Sequence, residues 1–195
     1  MESIILASSS PRRTMLLTQL GIDHEVMEPN IDENAFMAET MEDLVMQLAK
    51  SKAMEVALRV NKGIVIGADT IVVFGGEIFG KPKDEAHALS MLRKLQNSTH
   101  QVYTGIAAIE VKTREIKTGF RKVDVAMAPC TEERLLAYIA TGEPMDKAGA
   151  YSIQGKGAPL IKEIHGDYYA VVGLPLELTV ELLAEFDVVA PLFFQ

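Results

Sequence analysis

Three serines, a proline and two arginines stand in a row from Ser8 to Arg13, straight after the apolar run Ile4, Ile5, Leu6 and Ala7. The apolar run reads as a buried strand. Pro11 suits the first position of a helix, with Ser10 as its N-cap. Arg12 and Arg13 then fall in the first helical turn, where backbone N–H groups lack intrahelical partners and acidic side chains are the ordinary choice. Two cations there, beside serine hydroxyls, suit an arriving anion, because strand-to-helix turns bind phosphate in this way. The plainer reading is a solvated first turn, and these residues alone do not separate the two.

Other residues could serve the same chemistry. Lys52 falls near the middle of the apolar stripe Leu44, Val45, Leu48, Ala49, Val56 and Val60 when the segment is laid out as a helix. A lysine so placed either snorkels to the surface or reaches a buried anion. Asp69 and Thr70 interrupt Ile64 to Phe74, an apolar run that reads as a central strand. A carboxylate inside such a strand is costly unless paired, hydrogen-bonded or bound to metal, so Asp69 is a candidate site residue. Glu33 stands out in the acidic, irregular segment Glu28 to Glu39 as a loop carboxylate able to hold a divalent cation beside a phosphate site. Lys81, between Gly80 and Pro82, sits on a restrained, extended backbone. From Gly142 to Gly157, ionisable and amide side chains alternate with small residues, which makes a poor core strand but a good wall for a polar ligand. Gln154 in that stretch offers a donor and acceptors, as reading a base edge requires; a plain glycine-rich loop is the rival.

The elements that must carry these groups follow from pattern. Helices are expected over Pro11 to Leu20 (ended by Gly21), Met41 to Val60, Asp84 to Leu95, from a Thr131 cap to Gly142, and from Pro175 to Phe186. Strands are expected over Ile4 to Ala7, Ile22 to Met27, Ile64 to Phe74 and, after a Gly75-Gly76 hairpin, Glu77 to Phe79. Gln101 to Val111 and Glu115 to Ala128 read as a second hairpin, and Ala158 to Ile164 with Tyr168 to Val172 as a third, around His165-Gly166-Asp167. The proline-broken apolar tail, Val188 to Gln195, is expected to pack on the body or on a partner subunit.

Composition sets limits. A chain of 195 residues suits one well-filled core or two small lobes sharing a sheet. A formal charge of −8 argues against a nucleic-acid polymer as main partner, so any phosphate site is local. Cys130, alone, cannot form an internal disulfide, and without a basic-then-apolar leader a cytoplasmic protein is expected. No apolar run approaches the roughly eighteen residues a membrane span needs. His24, His87, His100 and His165 are scattered without zinc-ligand spacing, so no zinc is expected. Several cations with one or two carboxylates suit a triphosphate, and the Walker pattern is absent.

Ser-Ser-Ser-Pro-Arg-Arg at 8–13, Gly-Ala-Asp-Thr at 67–70, Gly-Lys-Pro at 80–82, and Gly-Glu-Pro-Met-Asp-Lys-Ala-Gly-Ala-Tyr with Gln-Gly at 142–155 resemble the Maf family of nucleoside triphosphate pyrophosphatases. The likeness spans nearly the whole chain, with one departure at Ser9, where glycine is more usual. Arg12, Thr70 and Gln154 together are similar to the branch acting on dTTP and UTP rather than on 7-methyl-GTP. The resemblance implies an α/β fold similar to inosine triphosphatases: one domain over 1–195, its two-lobed, mixed, twisted sheet flanked by helices, with the nucleotide in a cleft between the lobes. It implies hydrolysis between the α and β phosphates with a divalent cation, Mg²⁺ or Mn²⁺. Asp69 would be the proton acceptor that activates water, and Glu33 and Asp69 would touch the metal. Ser8, Arg12, Lys52 and Lys81 would bind phosphate, Arg13 is a further substrate-binding candidate, and Arg12, Thr70 and Gln154 would govern base choice. A homodimer with a house-cleaning role is expected. The alternative is a nucleotide-binding regulator of cell division that uses the same cleft without turnover.

Overall fold

The computed structural model describes residues 3–189. Along the chain come β1 (Ile4–Ala7), α1 (Pro11–Gln19), β2 (His24–Met27), α2 (Met41–Ala57), β3 (Ile64–Phe74), β4 (Glu77–Phe79) and α3 (Glu85–Leu95). There follow β5 (Thr99–Glu110), β6 (Ile116–Met127), α4 (Glu132–Ile139), β7 (Ile161–His165), α5 (Tyr168–Val172) and α6 (Leu176–Ala184). Short 3-10 turns lie at Glu33–Ala35, Glu143–Asp146, Ala148–Ala150 and Gly155–Leu160. Among the described residues seven strands form one sheet in the order β2-β1-β3-β5-β6-β7, with β4 paired to β3. β1 runs parallel to both β2 and β3, through helical crossovers, while β3–β4 and β6–β7 are antiparallel. The protein is therefore mixed α/β.

The described residues form two compact units: one takes those up to Asp69, 104–121 and those from Gly173 on, the other 70–103 and 122–172. In the first, Ile4 to Ala7 align with His24 to Met27 on one side and Ile64 to Gly67 on the other, and all four residues of β1 are buried. Helix α2 begins on Thr40, whose side chain accepts the Asp43 N–H at 3.1 Å. Its inner face, Ala49, Ala53, Val56 and Ala57, packs with Ile5, Ala7, Val65, Ala107 and Ile109 of the sheet. Each fully buried Val or Ile contributes roughly 1.5–3 kcal/mol to that core. Small residues set how close the helix lies. A Cβ on Gly67 of β3 would sit 2.3 Å from the Ala49 carbonyl oxygen, and one on Gly105 of β5 2.3 Å from that of Val45. Helix backbone lies almost directly on strand backbone at these two positions.

In the second unit, Gly75 and Gly76 carry the β3–β4 turn with φ of 60° and 82°, the paired left-handed geometry a two-residue hairpin requires. Asp84 caps α3 by accepting the His87 N–H at 2.7 Å, and Thr131 caps α4. His100, fully buried, meets the Tyr151 hydroxyl through Nε2 at 2.7 Å, with the two rings edge to face. Burial pushes the His100 imidazole down to about 4, against the opposing charge of Asp124.

Two expectations are corrected. Tyr168 to Val172 is helix α5, not the return strand of a hairpin; β7 pairs instead with β6, aligning Asp124 with His165. Asp167 Oδ1 accepts the N–H groups of Tyr169 at 2.8 Å and Ala170 at 3.3 Å, which turns the chain into a helix where aromatic and β-branched residues had suggested a strand. Ser10 occupies the N-cap of α1, but its side chain makes no capping bond. Residues 190–195 of the tail lie outside the described residues, so its packing does too. Among the described residues no helix is long and apolar enough to cross a membrane.

Gly105→Ala forces strand and helix backbones apart, an overpacking cost of about 1–3 kcal/mol, so calorimetry of this variant is expected to show a melting point lower by about 2–10 °C. An unchanged melting point would mean that α2 does not lie on β5 in this way. His100 gives a second test. It stays neutral in the folded chain and titrates near 6.5 when unfolded, so its contribution is whole above pH 6.5 and is lost as pH falls from 6.5 towards 4, by at most about 3 kcal/mol. Between pH 7 and 4.5 the wild type should lose more stability than His100→Asn, measured by urea unfolding at each pH.

Candidate active site

The opening turn of α1 is built around the Ser8 hydroxyl. Ser8 directly follows β1 and is 3% exposed. Its Oγ accepts the Ser10 N–H at 3.1 Å and the Arg13 Nη1 at 3.3 Å. A hydroxyl that accepts twice has its own hydrogen left to donate. The Arg13 guanidinium is fixed from its other side by Nε, which donates to the Gly173 carbonyl at 2.8 Å. Burial and the neighbouring Arg12 charge push Arg13 below the usual arginine range, while Asp69 and Glu33 pull it back up. Arg13 thus feels the charge of both carboxylates, Asp69 and Glu33. No acidic side chain lies in the first turn of α1.

Lys52 resolves its two readings inward. It is 7% exposed, on the buried face of α2, and its Nζ lies 2.5 Å from Asp69 Oδ1 and 2.7 Å from Glu33 Oε1. Asp69, 6% exposed, sits at the middle of β3 two residues beyond Gly67, so both point to the same side of the strand. The close approach of α2 that Gly67 permits is what lets a lysine on the helix reach a carboxylate on the strand. Glu33, on its 3-10 turn, keeps over half its side chain in solvent. The ammonium compensates a buried carboxylate that would otherwise be costly.

Ser8, Arg12, Arg13, Glu33, Lys52 and Asp69 thus all belong to the first unit, and Thr70, Lys81 and Gln154 to the second. Thr70 is half-buried and Lys81 exposed. The Gly-Lys-Pro turn is tied to the polar stretch, because the Gly80 carbonyl accepts the Gly149 N–H at 3.1 Å. The Gln154 N–H is held by Ser152 Oγ at 3.2 Å. Two participants escape the sequence reading. Gly173 acts through its carbonyl, which no residue type announces. Glu143 gathers backbone donors from residues far along the chain, where spacing gives no signal.

The chain is similar to known proteins over nearly its whole length. The family model described as Maf-like protein matches residues 3–186. The chain is 50% identical over 186 residues to the dTTP/UTP pyrophosphatase of Symbiobacterium thermophilum, covering 95% of each protein. It is 47% identical over 186 residues to that of Dictyoglomus turgidum, covering 95% of this chain and 96% of the relative. To that of Bacillus cereus it is 45% identical over 188 residues, covering 96% and 97%. Among solved structures, the Staphylococcus aureus Ham1 protein aligns over 65% of this chain and 72% of its own, with 21% identity and a TM-score of 0.45. By the family match and by these relatives, the chain belongs to the Maf-like protein family.

Proposed function

We propose that this protein hydrolyses dTTP and UTP between the α and β phosphates, releasing the nucleoside monophosphate and pyrophosphate, with Asp69 as general base. The observation that carries the reading is the buried Lys52–Asp69 pair beside the Ser8–Arg13 turn. A binder of polyanions gains nothing from a carboxylate sunk beside its cations, whereas a hydrolase needs one to take a proton from water. The choice of substrate is supported by the relatives, which carry the name dTTP/UTP pyrophosphatase over nearly their whole lengths.

In this reading Ser8, Arg12, Arg13, Lys52 and Lys81 receive phosphate oxygens. Their charge offsets the negative charge that gathers on the departing pyrophosphate. Asp69 accepts the proton of the attacking water, and Lys52, paired to its Oδ1, holds that carboxylate in place. Glu33 and Asp69 suit a divalent cation: their oxygens already converge on one ammonium, and Mg²⁺ or Mn²⁺ takes one or two carboxylates and completes its shell with phosphate and water. Such an ion supplies charge neutralisation and a more acidic water. Thr70 and Gln154 read the base. Cytosine presents a donor where thymine and uracil present the O4 acceptor, so an arranged hydrogen-bond partner discriminates strongly between them.

The purified protein with Mg²⁺ is expected to convert UTP to UMP and pyrophosphate, followed by phosphorus NMR, and Asp69→Asn to bind UTP but turn over at least about a hundredfold more slowly. Orthophosphate as the sole inorganic product, or tight binding without turnover under every divalent cation, would contradict the reading. Lys52 separates stability from catalysis. Lys52→Ala leaves Asp69 buried without its partner and should cost about 3–5 kcal/mol in urea unfolding. Replacing both members, Lys52→Met with Asp69→Leu, should recover most of that stability and none of the turnover.

A further inference from the structure

The polar stretch of the second unit is organised around one carboxylate. Glu143 Oε1 accepts the Gly157 N–H at 2.9 Å and the Tyr138 hydroxyl at 3.2 Å, and Oε2 accepts the Lys156 N–H at 3.0 Å. Tyr138, at the end of α4 and 5% exposed, accepts the Ser152 N–H at 3.1 Å on the same hydroxyl. Ser152 Oγ in turn accepts the Gln154 N–H at 3.2 Å. Gln154 is therefore bracketed. Its own peptide N–H hangs on Ser152, and the two N–H groups beyond Gly155 hang on Glu143.

The fit is close. Gly155 has a φ of 63°, and a Cβ there would sit 2.6 Å from Glu143 Oε2. A Cβ on Gly157 would meet the Ser152 carbonyl oxygen at 2.4 Å and the Tyr138 hydroxyl at 2.7 Å. The turn that carries Glu143 is pinned by Lys147, whose Nζ donates to the Glu143 carbonyl at 2.9 Å and to Asp146 Oδ1 at 2.5 Å. Partial burial works to raise the Glu143 carboxyl. The Lys156 and Gly157 N–H groups, the Tyr138 hydroxyl and the Lys147 charge outweigh it and hold the group below the usual carboxylate range. The carboxylate is thus held ionised, the form that accepts all three bonds.

We propose that Glu143 is a positioning residue for base selectivity: it fixes the backbone on either side of Gly155 so that the Gln154 amide meets the base in one place. This rests on the reading of Gln154 as a base-reading side chain. A side-chain amide can rotate to exchange its donor and acceptor. Discrimination between uracil and cytosine therefore depends on a backbone that prevents the amide from settling where either orientation pairs. Three charge-assisted bonds from one carboxylate supply that restraint.

The test compares wild type, Glu143→Ala and Glu143→Gln for turnover of UTP and CTP with Mg²⁺, and for trypsin cleavage at the Lys156–Gly157 bond of the folded chain. In Glu143→Ala the KM for UTP should rise about tenfold, kcat change less than about threefold, and the UTP-over-CTP ratio of kcat/KM fall at least about tenfold. Cleavage after Lys156 should quicken at least about fivefold. Glu143→Gln, which retains one acceptor oxygen, should fall between the two, and it carries the test if the alanine variant does not fold. Faster cleavage with selectivity unchanged would make Glu143 a loop clamp without influence on base choice and overturn the proposal, as would variants matching wild type in both readouts. A wild type that treats UTP and CTP alike would instead remove the base-reading role of Gln154, and the selectivity claim with it. Cleavage would still report whether Glu143 holds the loop.

Discussion

The structure of the site depends on one buried ion pair, Lys52 on α2 with Asp69 on β3, at 2.5 Å. Burying either charge alone costs several kcal/mol, and the pair in isolation is weak evidence of stability, since apolar residues of similar size often serve a core as well. Its presence in the middle of an otherwise apolar strand needs another reason. The surroundings supply one. Glu33 reaches the same ammonium from a half-exposed turn, and Arg13 feels both carboxylates from the first turn of α1. Packing lets the pair form: Gly67 admits the helix backbone, and Ala49 and Ala53 keep α2 thin where it crosses β3. Placing a larger side chain at Gly67 would act on chemistry through distance, without touching a charged group.

The chain is acidic overall, yet Asp69 has Lys52 against it and Arg13 within reach of its charge, with Arg12 next to Arg13 in the chain. A polyanion drawn to an acidic protein must find such a local excess of positive charge, held at low dielectric where each interaction is stronger than in bulk water. The serine turn adds direction to charge. The Ser8 hydroxyl is fixed by two donors, and the Arg13 guanidinium by the Gly173 carbonyl, so both are already ordered.

Much of this was legible in the sequence because local patterns and long-range packing agree. β1, α1 and β3 fall where the apolar run, the Ser-Pro start and the Gly75-Gly76 turn put them, and Lys52 was placed on the apolar face by helical geometry alone. Whether Lys52 turned outward or inward was not legible, because the answer lies on another strand, at Asp69. Tyr168 to Val172 deceived for a related reason. Five aromatic and apolar residues carry too little periodicity to tell helix from strand, and the deciding bonds come from the Asp167 carboxylate to main-chain donors. Glu143 was visible as a residue but not as an organiser, because its partners are the backbone N–H groups of Lys156 and Gly157 and the hydroxyl of Tyr138. Side chains that act on main chain leave no pattern of residue types to read.

The proposed catalysis at Asp69 requires that a nucleotide's phosphates be received by the opening turn of α1 and set against that carboxylate. A crystal structure with the slowly hydrolysed analogue α,β-imido-dUTP tests this most directly. The predicted result has phosphate oxygens within hydrogen-bond distance of the Ser8 hydroxyl and of the Arg12 and Arg13 guanidinium groups. It also has a water between Asp69 and the α phosphorus, about 3–3.5 Å from that atom. Phosphates bound away from the Ser8–Arg13 turn, or an α phosphorus that no water held by Asp69 can reach, would contradict it.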